Sequence, residues 1–166
     1  MKRFALAAVS LAALVSMSGI AEARANRTTV TQYGYSNGAA AVQHGFRNGA
    51  VVLQSGNGQY ARGVQDGYRN YLRMDQYGTR NSVTTEQRGA DNYAVTGQQG
   101  LDLKATTRQS GAGNISGIAQ IGRGSTALAE QDGVDNTIGV IQVGDGQNAK
   151  VRQAGAGNIS VVIQGD

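Results

Sequence analysis

Thirteen glutamines stand eleven residues apart without a slip: Gln32, Gln43, Gln54, Gln65, Gln76, Gln87, Gln98, Gln109, Gln120, Gln131, Gln142, Gln153 and Gln164. Two residues after each of the first twelve comes a glycine: Gly34, Gly45, Gly56, Gly67, Gly78, Gly89, Gly100, Gly111, Gly122, Gly133, Gly144 and Gly155. Such a chain cannot build an irregular core. Each period must be one small structural unit that buries its apolar face by stacking on its neighbours.

A longer period lies inside the first. Five residues after every second glutamine stands asparagine: Asn48, Asn70, Asn92, Asn114, Asn136 and Asn158. In the other half-units that place holds Asn37, Gln59, Asn81, Leu103, Ser125 and Gln147. The repeat is therefore 22 residues made of two similar halves. The Gln-x-Gly-x-x-Asn stretch is dense in turn formers, so each half reads as one strand plus one turn. The glycine either adopts a backbone conformation closed to other residues or lets a second backbone come close.

Alternation tests the strand reading. The seventh and ninth residues after each glutamine include Ala50 and Val52, Leu72 and Met74, Ala105 and Thr107, Ile138 and Val140, and never a charge. The eighth and tenth places hold Arg62, Arg73, Lys150, Asp75, Glu86, Arg108, Glu130 and Arg152. Side chains two apart share a face of a strand, so one face is small, uncharged and closed by glutamine. An 11-residue period can also specify a right-handed coiled coil, but glycine and asparagine at fixed places oppose helix. A disordered chain, the other rival for this composition, has no reason to exclude charge at a fixed phase. The fold class is all-β: a β-solenoid of stacked 22-residue strand-turn-strand repeats, cross-β in character, with thirteen strands. Layers then lie about 4.8 Å apart and two sheets face each other about 10 Å apart. Each inward glutamine lands above the one 22 residues earlier, so its amide can bond those above and below, as can Asn48 to Asn158 in one turn.

The first 25 residues read differently. Lys2 and Arg3 precede an apolar stretch from Phe4 to Val15, followed by Ala21-Glu22-Ala23 and Ala23-Arg24-Ala25. A charged start, a short apolar run and an A-x-A site describe a secretory signal peptide, cleaved after Ala23 or Ala25. The expected organisation is a leader at 1–25 and a repeat domain at 26–166. Loss of Lys2, Arg3, Glu22 and Arg24 leaves 12 basic and 10 acidic residues. That excess is too slight to imply nucleic-acid binding.

Chemistry is poorly supplied. There is no cysteine and a single histidine, His44, so no thiolate site and no His-based acid–base pair can form. Gly111-Ala112-Gly113 and Gly155-Ala156-Gly157 do not continue into a dinucleotide loop. No cofactor, metal site or enzymatic activity is expected.

Proline is absent, and the pattern runs from near Thr28 to the final residues without an atypical repeat. Sheet edges are usually blunted by proline or charge, and solenoids by caps. Uncapped tips would present unpaired backbone to their own kind. Such a heterologous contact propagates into filaments.

The chain resembles the curlin family, the subunits of bacterial curli fibres. Gln32 to Gln43 reads QYGYSNGAAAVQ, Gln43 to Gln54 reads QHGFRNGAVVLQ and Gln87 to Gln98 reads QRGADNYAVTGQ. Each matches Gln-x-Gly-x-x-Asn-x-Ala-x-x-x-Gln at every defined place, and the likeness covers essentially all of residues 26–166. The resemblance implies export through an outer-membrane secretion pore with its accessory proteins. It further implies templated assembly on the bacterial surface with itself and a second curlin subunit, and roles in biofilm and adhesion. The ladder Gln and Asn residues would promote assembly. Leu103 and Ser125 depart from the motif, as does the irregular unit from Gln98 to Asp102. The pattern stays regular to the last strand, which favours the major fibre subunit; the alternatives are a minor nucleating subunit or a monomeric solenoid binding module.

Arg62, Arg69, Arg73 and Arg80 gather in one region, but Asp66 and Asp75 interleave, which describes a mixed solvated face rather than an anion-binding one. Tyr33, Tyr35, Phe46, Tyr60, Tyr68, Tyr71, Tyr77 and Tyr93 fall at turns or strand starts. Charge sits mainly in the middle repeats, and uncharged β-branched windows nucleate cross-β most readily. Deleting residues 32–53 or 143–164 is expected to lengthen the lag of self-seeded assembly well beyond the effect of deleting a central repeat; equal lag times would refute this.

Overall fold

The computed structural model describes residues 12–18 and 25–166. It is all-β, with no helix among those residues. Fourteen strands follow one another: β1 Ala12–Ser18, β2 Arg27–Tyr35, β3 Gly38–Phe46, β4 Gly49–Asn57, β5 Tyr60–Tyr68, β6 Tyr71–Thr79, β7 Ser82–Ala90, β8 Tyr93–Leu101, β9 Lys104–Ala112, β10 Ile115–Arg123, β11 Thr126–Val134, β12 Thr137–Asp145, β13 Asn148–Ala156 and β14 Ile159–Gly165. Alternate strands pair in parallel to make two seven-stranded sheets, an even sheet from β2 to β14 and an odd sheet from β1 to β13. This is the expected β-solenoid, each full turn taking 22 residues, so that Gln54 stands opposite Gln76 and Gln87 opposite Gln109.

Between strands the chain turns a corner on two residues, as at Arg69-Asn70 between β5 and β6. The first of the two adopts a left-handed conformation, φ 55° at Arg69 and 67° at Gly113. The corners stack too, with the Tyr71 N–H donating to the Asn92 carbonyl at 2.8 Å. From Gly34 to Gly133, the glycine two places after the glutamine is demanded twice over. Gly111 has φ +111°, and a Cβ there would lie 1.9 Å from the Gly133 carbonyl oxygen in the layer above. Both readings of that glycine therefore hold together. The departure from the motif between Gln98 and Asp102 leaves the strand intact: β8 is a full nine-residue strand, and Gly100 keeps the required conformation at φ 146°.

The core is the narrow space between the sheets, filled by the seventh and ninth residues after each glutamine. Ala50, Val52, Leu72, Met74, Ile138 and Val140 are all buried there. Size is balanced across the gap: a Cβ on Gly63 would come within 2.9 Å of Leu72 Cδ2, so the missing side chain makes room for Leu72 and Met74. Three inward hydroxyls, on Thr85, Thr107 and Ser116, are buried without a hydrogen-bond partner.

One strand was not expected. β1 lies within the stretch read as a leader and pairs with β3, Ala12 opposite Gly38 and Met17 opposite Gln43. The outer edge of β3 offers unpaired backbone groups, and an apolar segment close in sequence can take them. The rest of the leader reading lies outside the described residues.

Buried hydroxyls without partners cost roughly 1–3 kcal/mol, and valine has nearly the same shape as threonine. Thr107→Val is therefore expected to stabilise the fold by about 1 kcal/mol in urea unfolding, whereas Gly111→Ala should prevent cooperative folding. Loss of stability in Thr107→Val would contradict the assignment.

Candidate functional site: stacked amide ladders

The alternation places every ladder glutamine at the end of an inward row, where most are almost wholly buried. In the even sheet Gln32 Nε2 donates to Gln54 Oε1 at 2.6 Å, Gln54 to Gln76 at 2.8 Å and Gln76 to Gln98 at 3.0 Å. The series continues through Gln120 and Gln142 to Gln164, each step 2.8 Å. In the odd sheet Gln43, Gln65, Gln87, Gln109, Gln131 and Gln153 do the same at 2.7–3.2 Å. The second N–H of each amide reaches a carbonyl at the start of a strand in the facing sheet, as from Gln87 to Tyr71 O at 2.9 Å. A buried amide has two donors and an acceptor to satisfy, and stacking satisfies all three.

The asparagines form a second ladder at the corner between odd and even strands. Asn70 Nδ2 donates to Asn48 Oδ1 at 3.2 Å, and the same oxygen accepts the Asn70 backbone N–H at 3.0 Å. Asn92, Asn114, Asn136 and Asn158 repeat the contact. Asn70 Nδ2 also donates to the Gly89 carbonyl at 2.9 Å, which ties the asparagine to the glycine of the next layer and explains their fixed spacing. Glutamine amides point their donors toward the C-terminal end of the coil, and asparagine amides toward the N-terminal end. The opposite corner holds no continuous ladder. Asn81 Oδ1 meets only the backbone N–H of a buried Leu103 at 3.1 Å, and Gln59 Oε1 and Gln147 Oε1 are left unpaired.

At the tips the ladders stop with groups still to satisfy. Gln32 Oε1 is buried and has no partner among the described residues. Gln164 Nε2 donates to Asn148 O at 3.1 Å, and among the described residues no glutamine lies beyond it. Asp166 stands where the motif would place a thirteenth glycine; its carboxylate takes the Gln147 amide at 2.9 Å and the Asp145 N–H at 3.1 Å. Those bonds hold its carboxyl below the usual carboxylate range.

Charge columns follow the same pitch, and sequence reading missed them. Glu86, Arg108, Glu130 and Arg152 alternate in sign up the outer face of the odd sheet, with Arg108–Glu130 at 2.9 Å and Arg152 also bound to Glu130. Arg62 reaches Glu86 at 2.7 Å. Arg69 pairs with Asp91 and Arg80 with Asp102, in each case through two hydrogen bonds. Hydrogen bonding and charge from those arginines hold Asp91 and Asp102 low. Burial works against the charge on Glu130, but the bonds from Arg108 and Arg152 outweigh it. All four arginines of the region read as a mixed charged face are thus engaged with carboxylates, Arg73 with Asp75. Opposite charges 22 apart at one phase were the signal. A groove of about 460 Å³ beside this column is lined by its paired side chains. His44 and most of the aromatic residues are exposed. Phe46 stacks on Tyr68 at 5.5 Å and Tyr71 on Tyr93 at 5.0 Å.

No family model matches the chain, and none of the curated proteins does.

Removing one internal rung orphans a donor below and an acceptor above inside the core. Gln87→Leu should therefore destabilise by about 2–4 kcal/mol, while Gln32→Leu, at a tip, should cost under about 1 kcal/mol. Urea unfolding of the dilute soluble chain measures both, and equal losses would show that the ladder is not cooperative.

Proposed function

We propose that this protein is a secreted structural subunit that polymerises head to tail into an extracellular cross-β fibre of the curli type, serving biofilm matrix and surface adhesion. The carrying observation is the polarity of the ladders. One tip ends in the buried acceptor of Gln32, without a partner among the described residues. The other ends in Gln164, whose amide spends one N–H on Asn148 O and turns the other outward, while Gln153 gives both of its N–H groups to Thr137 O and Ser160 Oγ. A second copy supplies the missing groups at the right spacing.

The odd number of repeat strands sets how that copy enters. β2 and β14 lie in the same sheet, so continuing both sheets without a vacant place puts β2 of the newcomer on β13 and its β3 on β14. The newcomer is turned half a revolution about the long axis. Gln153 then meets Gln32, Gln164 meets Gln43, and Asn37 continues the ladder that stops at Asn158. β1 occupies the edge of β3 that this contact uses, so removal of the leader frees it. A binding module for a regular surface would repeat one residue type along its outer rows; the outer rows here are heterogeneous.

The test uses the chain without residues 1–25, incubated with and without preformed fibres and followed by dye binding, electron microscopy and fibre diffraction. Seeded elongation with a meridional spacing near 4.8 Å is expected. A chain that stays monomeric at high concentration refutes the reading.

A further inference from the structure

The two outer faces of the solenoid differ in kind. On the odd sheet the rows from β7 to β13 carry the alternating Glu86–Arg108–Glu130–Arg152 column. On the even sheet from β8 to β14 two outward rows hold no charge, Val95, Gly117, Gly139 and Val161 in one and Gly97, Ala119, Ile141 and Ile163 in the next; charge returns only at the strand ends, where Arg123 stands beside Asp145. Ile141, Val161 and Ile163 are 42%, 63% and 71% exposed. The glycines in these rows have no internal reason to be glycine. A Cβ on Gly97 or Gly117 would meet nothing within 4 Å, and neither lies in the left-handed region. Strand glycine without such a reason marks a place where something else approaches closely.

We propose that this face binds the same face of a second copy, a lateral contact between fibres that rests on the fibre reading for its strength. The shape argues for self-recognition. Turning one copy about an axis parallel to the strands lays β14 over the other's β8 and β12 over its β10. Ile163 then faces Gly97 and Ile141 faces Ala119, in both directions, as an isologous contact requires. Large residues meet small ones in this row, while in the neighbouring row Val161 faces Val95 and Gly139 faces Gly117; apolar rows interlocking at strand spacing make a dry interface between sheets. No like charges meet, although the whole chain carries a net +4. Four strands by seven residues cover roughly 450 Å² on each copy. That is about half of what a stable pair of molecules buries. Single chains therefore pair weakly, and the contact gains strength when fibres repeat it.

The natural sequence has no cysteine, so cross-linking is clean. Chains carrying Gly97→Cys are mixed with chains carrying Ile163→Cys, both without residues 1–25, and oxidised before and after fibre growth. Within one chain these positions are three strands, about 14 Å, apart, too far for a disulfide. Expected is a mixed disulfide dimer at least tenfold more abundant than the homodimer that either variant forms alone, rising with fibre growth. In parallel, Ile141→Lys fibres should elongate at the wild-type rate but remain single filaments, with Thr106→Lys on the other face bundling like the wild type. Ile141→Lys fibres that bundle normally, or no excess mixed disulfide, overturn the lateral contact while leaving elongation intact. If no fibres grow, the fibre reading fails on its own, and the mixed disulfide at high chain concentration still decides whether the faces meet. Fibres that bundle through another protein or lipid would show neither the disulfide nor its excess.

Discussion

Everything in this molecule depends on one side-chain amide giving its proton to the next at the height of one layer. The glutamines set the spacing of eleven, but alone they would accept any multiple of it, since every half-repeat offers one. The asparagines decide between the multiples: Asn48, Asn70 and Asn92 bond one another only when the pitch is 22. A slip of one half-repeat would set asparagine against Leu103 or Ser125, and a slip of one residue would turn the amides to solvent. Two ladders together leave a single register. The Gln and Asn amides run in opposite directions along the coil.

Much of this could be read directly from the residues. The charge-free rows named the buried face, and Gln-x-Gly-x-x-Asn located each turn, because burial and left-handed backbone admit few residue types. What stayed hidden were relations between distant positions with no fixed residue identity. The corner residue four places after each glutamine is Ser36, Arg69, Asp91 or Gly113, so its shared conformation is masked by varied chemistry. The Arg69–Asp91 and Arg80–Asp102 pairs needed the pitch to be established before they could be seen. β1 breaks the rule altogether, since Met17 faces Gln43 from 26 residues away. Thr85 and Thr107 fit the inward pattern by size, and only the structure reveals that their hydroxyls find no partner.

The outer faces divide stability from association. The ion pairs of the odd sheet are largely solvent-exposed, and such pairs add little to stability. Their effect is selective: alternating sign up the column favours the native layer order, and charge discourages flat contact with other sheets. The even sheet beyond the Arg73–Asp75 pair lacks that protection. Within a structure held by buried amides, the side chains free to vary are the outward ones, and there the two halves of the repeat have taken different paths.

The odd count of repeat strands carries a consequence for the proposed polymer. When each subunit joins by a half turn, the oily side of one is followed on the same flank by the salted side of the next. Thirteen strands rise about 31 Å, so each flank would be banded with greasy patches about 62 Å apart, and the opposite flank would carry the same bands offset by one subunit. A filament patterned in this way would present apolar bands on both sides. Its assemblies would spread as flat rafts, with no geometric reason to stop at two.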